Sequence, residues 1–344
     1  MQVGNCMLNK IKMRLWALLV RKLRKRACYP LIYRSWWHSR IHQSKRSGAL
    51  SCYLAATPNP GAGIGHQLAN WIAGLWFAKR FGLPHAHIPF SSQRWEQLLG
   101  LGEPGICVES LVREHGCKKV LLPLFDESNS EEVQRIRRII SSYANQPVVF
   151  ILEQDQFYRD QFGVMGEIQN RFYRASSRAF DRMQYRPENF NIAIHVRRGD
   201  IAAGQVNGNP NLLMRWQDAK YFKSVLAAVL NNLKMDKLIK IHLFSQGNRE
   251  EFTEFERFGN VLLHLDMGAQ ESFLHMVYAD LLITSKSSFS YKPALLNQGV
   301  KVCPRNFWHG YPDQDDWVIA EEDGSLDEQA IMKLKNMLIQ SKGF

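Results

Sequence analysis

No aspartate or glutamate occurs in the first ninety-five residues of this chain; the first acidic side chain is Glu96. Over residues 1–46 that absence coincides with twelve lysines and arginines: Lys10, Lys12, Arg14, Arg21, Lys22, Arg24, Lys25, Arg26, Arg34, Arg40, Lys45 and Arg46. The full chain of 344 residues carries 44 basic and 32 acidic residues, a formal net charge of +12. Setting the twelve aside leaves 32 of each sign, so the body from residue 47 onward is neutral. The excess charge therefore speaks to the partners of one terminal segment and says little about the body.

Long apolar runs are also missing. The longest in the basic segment is Leu-Trp-Ala-Leu-Leu-Val, residues 15–20, where a bilayer-spanning helix needs about 20 residues. No spanning helix is expected, and the basic residues that follow at once argue against a cleaved signal peptide. On a helix, Leu15, Leu19 and Leu23 stack with Trp16 and Val20 alongside, flanked by arginine and lysine. That pattern suits a helix lying on an anionic membrane surface. A basic tail, or a helix docked on the body, fits the same residues. Nucleic-acid binding is the weaker alternative, since no nucleic-acid motif accompanies Trp16, Trp36 and Trp37. The expected partner of residues 10–46 is thus an anionic membrane and not nucleic acid. The expected location is peripheral, on the cytoplasmic face of a membrane, with a secretory lumen as the alternative.

Paired cysteines are absent as well. Cys6, Cys28, Cys52, Cys107, Cys117 and Cys303 form no CxxC pair, which leaves little support for a zinc site or a disulfide scaffold. Cys107 and Cys117 are near enough in sequence to bridge, but they read as reduced core thiols and point to a reducing compartment.

What is present is an alternation of strand and helix. The patterns predict strands at 49–57, 84–90, 118–124, 147–153, 190–196, 239–245, 261–265, 280–285 and 300–304. They predict helices at 66–82, 129–143, 166–184, 218–233, 249–258, 270–278 and 287–298. Buried apolar strands alternating with helices imply an α/β fold with parallel sheets covered on both faces. Two such runs divide the chain into a basic N-terminal segment, 1–48, and two Rossmann-like domains, 49–187 and 188–344. Ligands in such sheets bind at the carboxyl ends of strands.

Three motifs fall at such ends. "GAGIGHQ" (61–67) is a glycine-rich turn into a helix, where Gly63 and Gly65 let backbone approach a ligand. His66 stands at the helix start; helix capping would also explain it. No acidic residue follows about 20 residues on, as a dinucleotide fingerprint requires. "HVRRGD" (195–200) places Arg197 and Arg198 directly after a buried strand. Guanidinium groups pair bidentately with phosphate or carboxylate; an Arg–Asp pair pinning a loop is the plainer alternative. "ADLLITSKSSFSY" (279–291) ends an apolar strand in Ser285, Ser287 and Ser288 at a helix N-terminus, which is an anion site. Phe289 and Tyr291 are suited to stack on a base, or simply to fill the core. The second and third motifs together describe a pyrophosphate site without a Walker lysine.

The combination of "GAGIGHQ", "HVRRGD" and "ADLLITSKSSFSY" resembles the fucosyltransferase superfamily of α1,2-, α1,6- and protein O-fucosyltransferases, over residues 57–310 in spaced blocks. The resemblance implies a GT-B-like fold with two Rossmann-like domains facing across a cleft. It further implies GDP-fucose as donor, inversion at the anomeric carbon and no metal or other cofactor. Carried onto this chain, Arg198 would bind the β-phosphate, Ser287 and Ser288 would bind phosphate, and Phe289 would lie near guanine. His195 or Asp280 would contact the nucleoside or hold a loop. His66 stands where many members have asparagine, so the general base is open among His66, Asp200 and Asp218. The acceptor expected beside a membrane-surface segment is a glycolipid or lipid-linked polysaccharide. "PDQDDW" (312–317) contains an Asp313–Asp315 pair in the spacing of metal-dependent transferases, but it does not follow a nucleotide-binding strand. Three rivals remain: a transferase of the same fold using another nucleotide sugar, a non-catalytic protein that binds a GDP-sugar, and a membrane or nucleic-acid adaptor driven by the basic segment.

Overall fold

The structure is a computed structural model that describes residues 11, 14–16, 18–37, 52–103, 105–143, 146–153, 158–199, 201, 210–233, 236–265 and 267–340. Asp200 and residues 10, 12, 13, 17 and 38–46 of the basic segment lie outside them. The described chain is α/β, with two sheets whose strands all run parallel.

Two compact units form, each discontinuous in sequence. The first contains residues 1–57, 73–88 and 105–158, and the second contains 58–72, 89–104 and 159–344. The expected division near residue 187 is a linear one, whereas these units interleave along the chain.

The first unit holds a three-stranded sheet. Its strands are β1 (Tyr53–Ala56), β2 (Lys118–Leu121) and β3 (Val148–Leu152), in the order β1-β3-β2. β3 is the central strand, and all five of its residues are buried. Helix Ser130–Ser141 connects β2 to β3; its first turn is capped by the Asn129 side chain, which accepts from Glu131 and Glu132 backbone N–H groups. The strand expected at 84–90 does not form. Only single bridges appear there, Leu54 with His85 and His87 with Cys107. Pro84 and Pro89 flank the segment and lack the N–H that a ladder needs. Cys107 and Cys117 are both free thiols, and Cys107 caps helix Val108–Arg113 instead.

The second unit holds six strands: β4 (Asn189–His195), β5 (Leu238–Phe244), β6 (Val261–His264), β7 (Leu281–Ile283), β8 (Val300–Pro304) and β9 (Trp317–Ala320). Their order is β6-β5-β4-β7-β8-β9. Counted within the unit this is 3-2-1-4-5-6, the order of a doubly wound sheet. β4 is buried along its whole length, with Ile192 paired to Ile241 on one side and Leu281 on the other. Ile192, Ile194, Leu243, Ile283 and Val302 have no exposed surface and form the centre of the core. Parallel neighbours require crossover connections, which here include helices Ala219–Asn232, Ala269–Tyr278 and Ser288–Leu296.

Two expected helices change form. The segment expected to run to residue 184 is α-helical only over Met165–Arg174; Ala175 is extended, and a short 3₁₀ helix, Ser176–Phe180, follows. A Cβ on Gly100 would lie 2.3 Å from the Ala175 methyl, so the bend at Ala175 packs directly against the Gly100 turn. Arg249–Phe258 is 3₁₀ rather than α, opened by a capping box between Asn248 and Glu251. β9 was hidden by its brevity, four residues directly after an acidic loop.

Candidate functional site

In a sheet of this order, the connections on either side of the first strand leave in opposite directions, which opens a crevice at the carboxyl ends of β4 and its neighbour β7. The residues that follow those ends are Val196-Arg197-Arg198 and Thr284-Ser285-Lys286-Ser287. A cavity of about 630 Å³ lies there, and every residue lining it belongs to the second unit.

Ser287 is the N-cap of helix Ser288–Leu296, its hydroxyl accepting from the Phe289 backbone N–H. The same hydroxyl accepts from Arg197 Nη1 at 3.0 Å. A cation and a helix N-terminus are thereby fixed side by side, each favouring an anion. Arg198 is turned differently. It is buried, its Nη1 donates to the carbonyls of Arg197 at 2.9 Å and Gln217 at 3.1 Å, and its guanidinium lies 4.1 Å over the Trp216 ring. Both arginines line the cavity, but only Arg197 touches the capping serine among the contacts described. Gly199 holds the bend after them at φ +67°, and a Cβ there would lie 2.2 Å from the Gln246 side chain.

His195, the last residue of β4, is buried, and its Nδ1 lies 2.7 Å from the Ser285 hydroxyl. Burial, with the Arg197 charge adding to it, pushes its pKa down from 6.5 to about 3. The ring is therefore neutral at physiological pH and serves as a fixed hydrogen-bonding group. Phe289 packs 5.4 Å from it, centroid to centroid.

The glycine-rich turn reaches the same cavity. Gly63 and Gly65 border it, and His66, exposed, lines it from the first turn of helix Ile64–Phe81. A Cβ on Gly65 would meet the backbone carbon of Ser288 at 2.8 Å. The missing side chain lets the starts of two helices abut. Buried Gln67 steadies the turn, its amide donating to the Ala62 carbonyl at 2.8 Å and its Oε1 accepting from Ser91 N–H at 3.0 Å.

No family model matches the chain, and no curated protein matches it. Solved structures do. POFUT1 in complex with GDP-fucose is similar over 73% of this chain and 97% of its own, at 12% identity and a TM-score of 0.46. POFUT1 in complex with GDP covers the same shares at 12% identity and a TM-score of 0.47. The fucosyltransferase NodZ from Bradyrhizobium covers 73% of this chain and 93% of its own, at 14% identity and a TM-score of 0.40. The likeness is distant and is one of fold alone.

The structure brings His66, Gly63, Gly65, His195, Arg197, Arg198, Ser287, Ser288 and Phe289 to one cavity. It does not bring Asp280. That residue precedes β7 and so sits at the amino end of the sheet, where its carboxylate accepts from the Asn191 backbone N–H at 2.7 Å. It ties β4 to β7 and is not a lining residue. Asp218 caps helix Ala219–Asn232 through a 2.8 Å bond from Lys220 N–H. Asp313 lies within 3.5 Å of Lys333 on the surface.

Sequence reasoning missed Arg215 and Trp308, which also line the cavity and pack together, guanidinium 5.4 Å from the ring. Both follow strand ends, Arg215 at the close of the long connection after β4 and Trp308 in the turn after β8. The carboxyl-end rule applied to every strand, not only to motif-bearing ones, would have pointed to them.

Proposed function

We propose that this protein is an inverting fucosyltransferase that moves fucose from GDP-fucose to a hydroxyl of a glycan acceptor without a metal ion. One observation carries the reading: Arg197 bound to the N-capping Ser287 beside Arg198, at the switch point of a doubly wound sheet. A cation beside a helix N-terminus suits a diphosphate, and this supports the reading. The motif resemblance then selects GDP-fucose among nucleotide diphosphate sugars.

In this reading an acceptor oxygen attacks the anomeric carbon in line as its bond to the diphosphate oxygen breaks, and the bonding pair leaves with GDP. Negative charge grows on the β-phosphate while the sugar gains oxocarbenium character. Arg197 and the helix start at Ser287 meet that charge, the work a divalent ion does elsewhere. Arg198 anchors the backbone at Gln217 and borders the cavity. His66 takes the acceptor proton. The apolar part of the lining, including Phe244, Leu265 and Phe289, receives the base. The acceptor class we favour is a glycolipid or lipid-linked polysaccharide.

The test is GDP release from GDP-fucose, with GDP-mannose and UDP-galactose in parallel, in EDTA, using a membrane glycan extract as acceptor. Release from GDP-fucose alone, unaffected by EDTA and lost in Arg197→Ala, is the expected result. Release only from another donor would overturn the fucose assignment. Tight GDP-fucose binding without release across acceptors would make this a binding protein, and loss of activity in EDTA restored by Mg²⁺ would overturn the metal-independent mechanism.

A further inference from the structure

The amphipathic N-terminal segment is helical at residues 11, 14–16 and 18–23, and its faces divide differently from the sequence reading. Trp16 is buried, 7% exposed, and stacks on Trp36 with centroids 4.6 Å apart; it also packs 5.3 Å from Tyr33. Tyr33, buried in helix Tyr29–Trp37, donates its hydroxyl to the Leu121 carbonyl at the end of β2. Arg34 Nη1 donates to the Ser142 carbonyl at 2.9 Å. The segment is therefore docked on the first unit through its aromatic side, where Val20 and Leu23 are also partly covered.

Among the described residues, the opposite side is exposed. Ile11, Leu15, Leu18 and Leu19 are 49%, 61%, 57% and 39% exposed. At 100° per residue all four fall within about 100° of one another, with Trp16, Val20 and Leu23 turned away. Lys22 lies on that arc, Arg14 and Arg21 stand about 40° and about 60° outside its edge on the side away from Leu23, and Lys25 and Arg26 follow in the next turn, all exposed. No acidic residue occurs in this segment to oppose them.

We infer that this face is a docking surface for an anionic lipid bilayer, with the leucines entering the headgroup boundary and the arginines and lysines meeting lipid phosphates and carboxylates. An apolar strip edged only by positive charge is complementary to such a surface, since apolar burial and charge attraction act together there. A second copy of this chain would bring like charges together around the same strip. The inference is independent of the transferase reading.

The experiment is co-sedimentation of the full chain with phosphatidylcholine vesicles, with and without phosphatidylglycerol. Binding to the anionic vesicles, weakened by added salt, is expected. Arg21→Gln/Lys22→Gln/Lys25→Gln should lower that affinity on the order of a hundredfold, at about fivefold per charge. Leu15→Glu/Leu18→Glu should abolish it. Both variants alter exposed side chains, and an unchanged thermal midpoint identifies them as folded. Equal binding to neutral vesicles, or none to either, would overturn the inference. So would self-association of the parent chain that Leu15→Glu/Leu18→Glu removes, or preferential binding to duplex DNA.

Discussion

Arg197 and Ser287 are ninety residues apart in sequence and joined by a 3.0 Å hydrogen bond at the carboxyl ends of two adjacent strands. The bond ties the cation of one motif to the helix start of the other. Arg197→Ala should therefore lower turnover by about 10²–10³-fold, the usual consequence of losing one donor to developing charge, while leaving the thermal midpoint close to the parent's. Arg198→Ala should do more harm to the fold. It removes two hydrogen bonds to carbonyls and the packing over Trp216, and thermal unfolding should report a loss of roughly 1–3 kcal/mol. Equal thermal effects of the two substitutions would contradict this division of roles.

Gly65 and Gly63 make a matched pair. A Cβ at residue 65 collides with Ser288 backbone, whereas one at residue 63 has nothing within 4 Å. Gly65→Ala should push the two helix starts apart, weaken GDP binding and cost roughly 1–3 kcal/mol of stability. Gly63→Ala should leave the thermal midpoint where it is. Calorimetric titration with GDP, alongside thermal scans of both variants, checks the contrast.

His66 lines the cavity from an exposed position, outside the Arg197–Ser287 hydrogen bond. If it receives the acceptor proton, His66→Ala should reduce kcat by about 10²-fold or more with little change in GDP affinity. An unchanged kcat would return the base to the open alternatives, of which Asp218 is committed to capping a helix.

Histidines held neutral by burial and by neighbouring charge should make the second unit sensitive to acid. His242 Nδ1 lies 3.0 Å from His264 Nε2, and the two rings stack. Burial, with repulsion from His264, His275 and Lys240, lowers the His242 pKa from 6.5 to about 3. Burial and His275 lower His264 to about 4, with Glu271 opposing. His195 is held near 3 by burial and Arg197. Each folded-state value is below the unfolded one, so the folded chain binds fewer protons and stability rises with pH across this range. Stability should be full above about pH 6.5, fall progressively as the pH drops, and flatten near 3. His242→Phe should make the fall shallower in thermal scans across that window, and an unaltered slope would refute the assignment.

Much of this was legible in the chain. β8 falls where the apolar pattern puts it, and β4 and β5 are displaced by one residue. β4 and β8 are buried along their whole length and β5 over its second half, and such burial favours runs of apolar residues, a signal carried by consecutive positions. The three motifs were equally visible, because turns and helix caps obey local rules. Residues 84–90 do not form a strand because Pro84 and Pro89 lack the N–H that a ladder needs, and only single bridges pair the segment. Asp280 was misplaced because proximity in sequence to Ser285 hides which end of β7 it occupies.

The alternation of strand and helix, the isolated basic segment and the motifs at strand ends are written in short stretches of chain, since each depends on near neighbours. Tertiary structure alone decided that Arg197 rather than Arg198 meets Ser287, that Arg215 and Trp308 join the cavity, and that Trp16 turns inward while Leu15 and Leu18 face out. Those outcomes depend on strand order and on which surface lies opposite each side chain. Both are set by contacts between residues tens to a hundred positions apart, which no local pattern encodes.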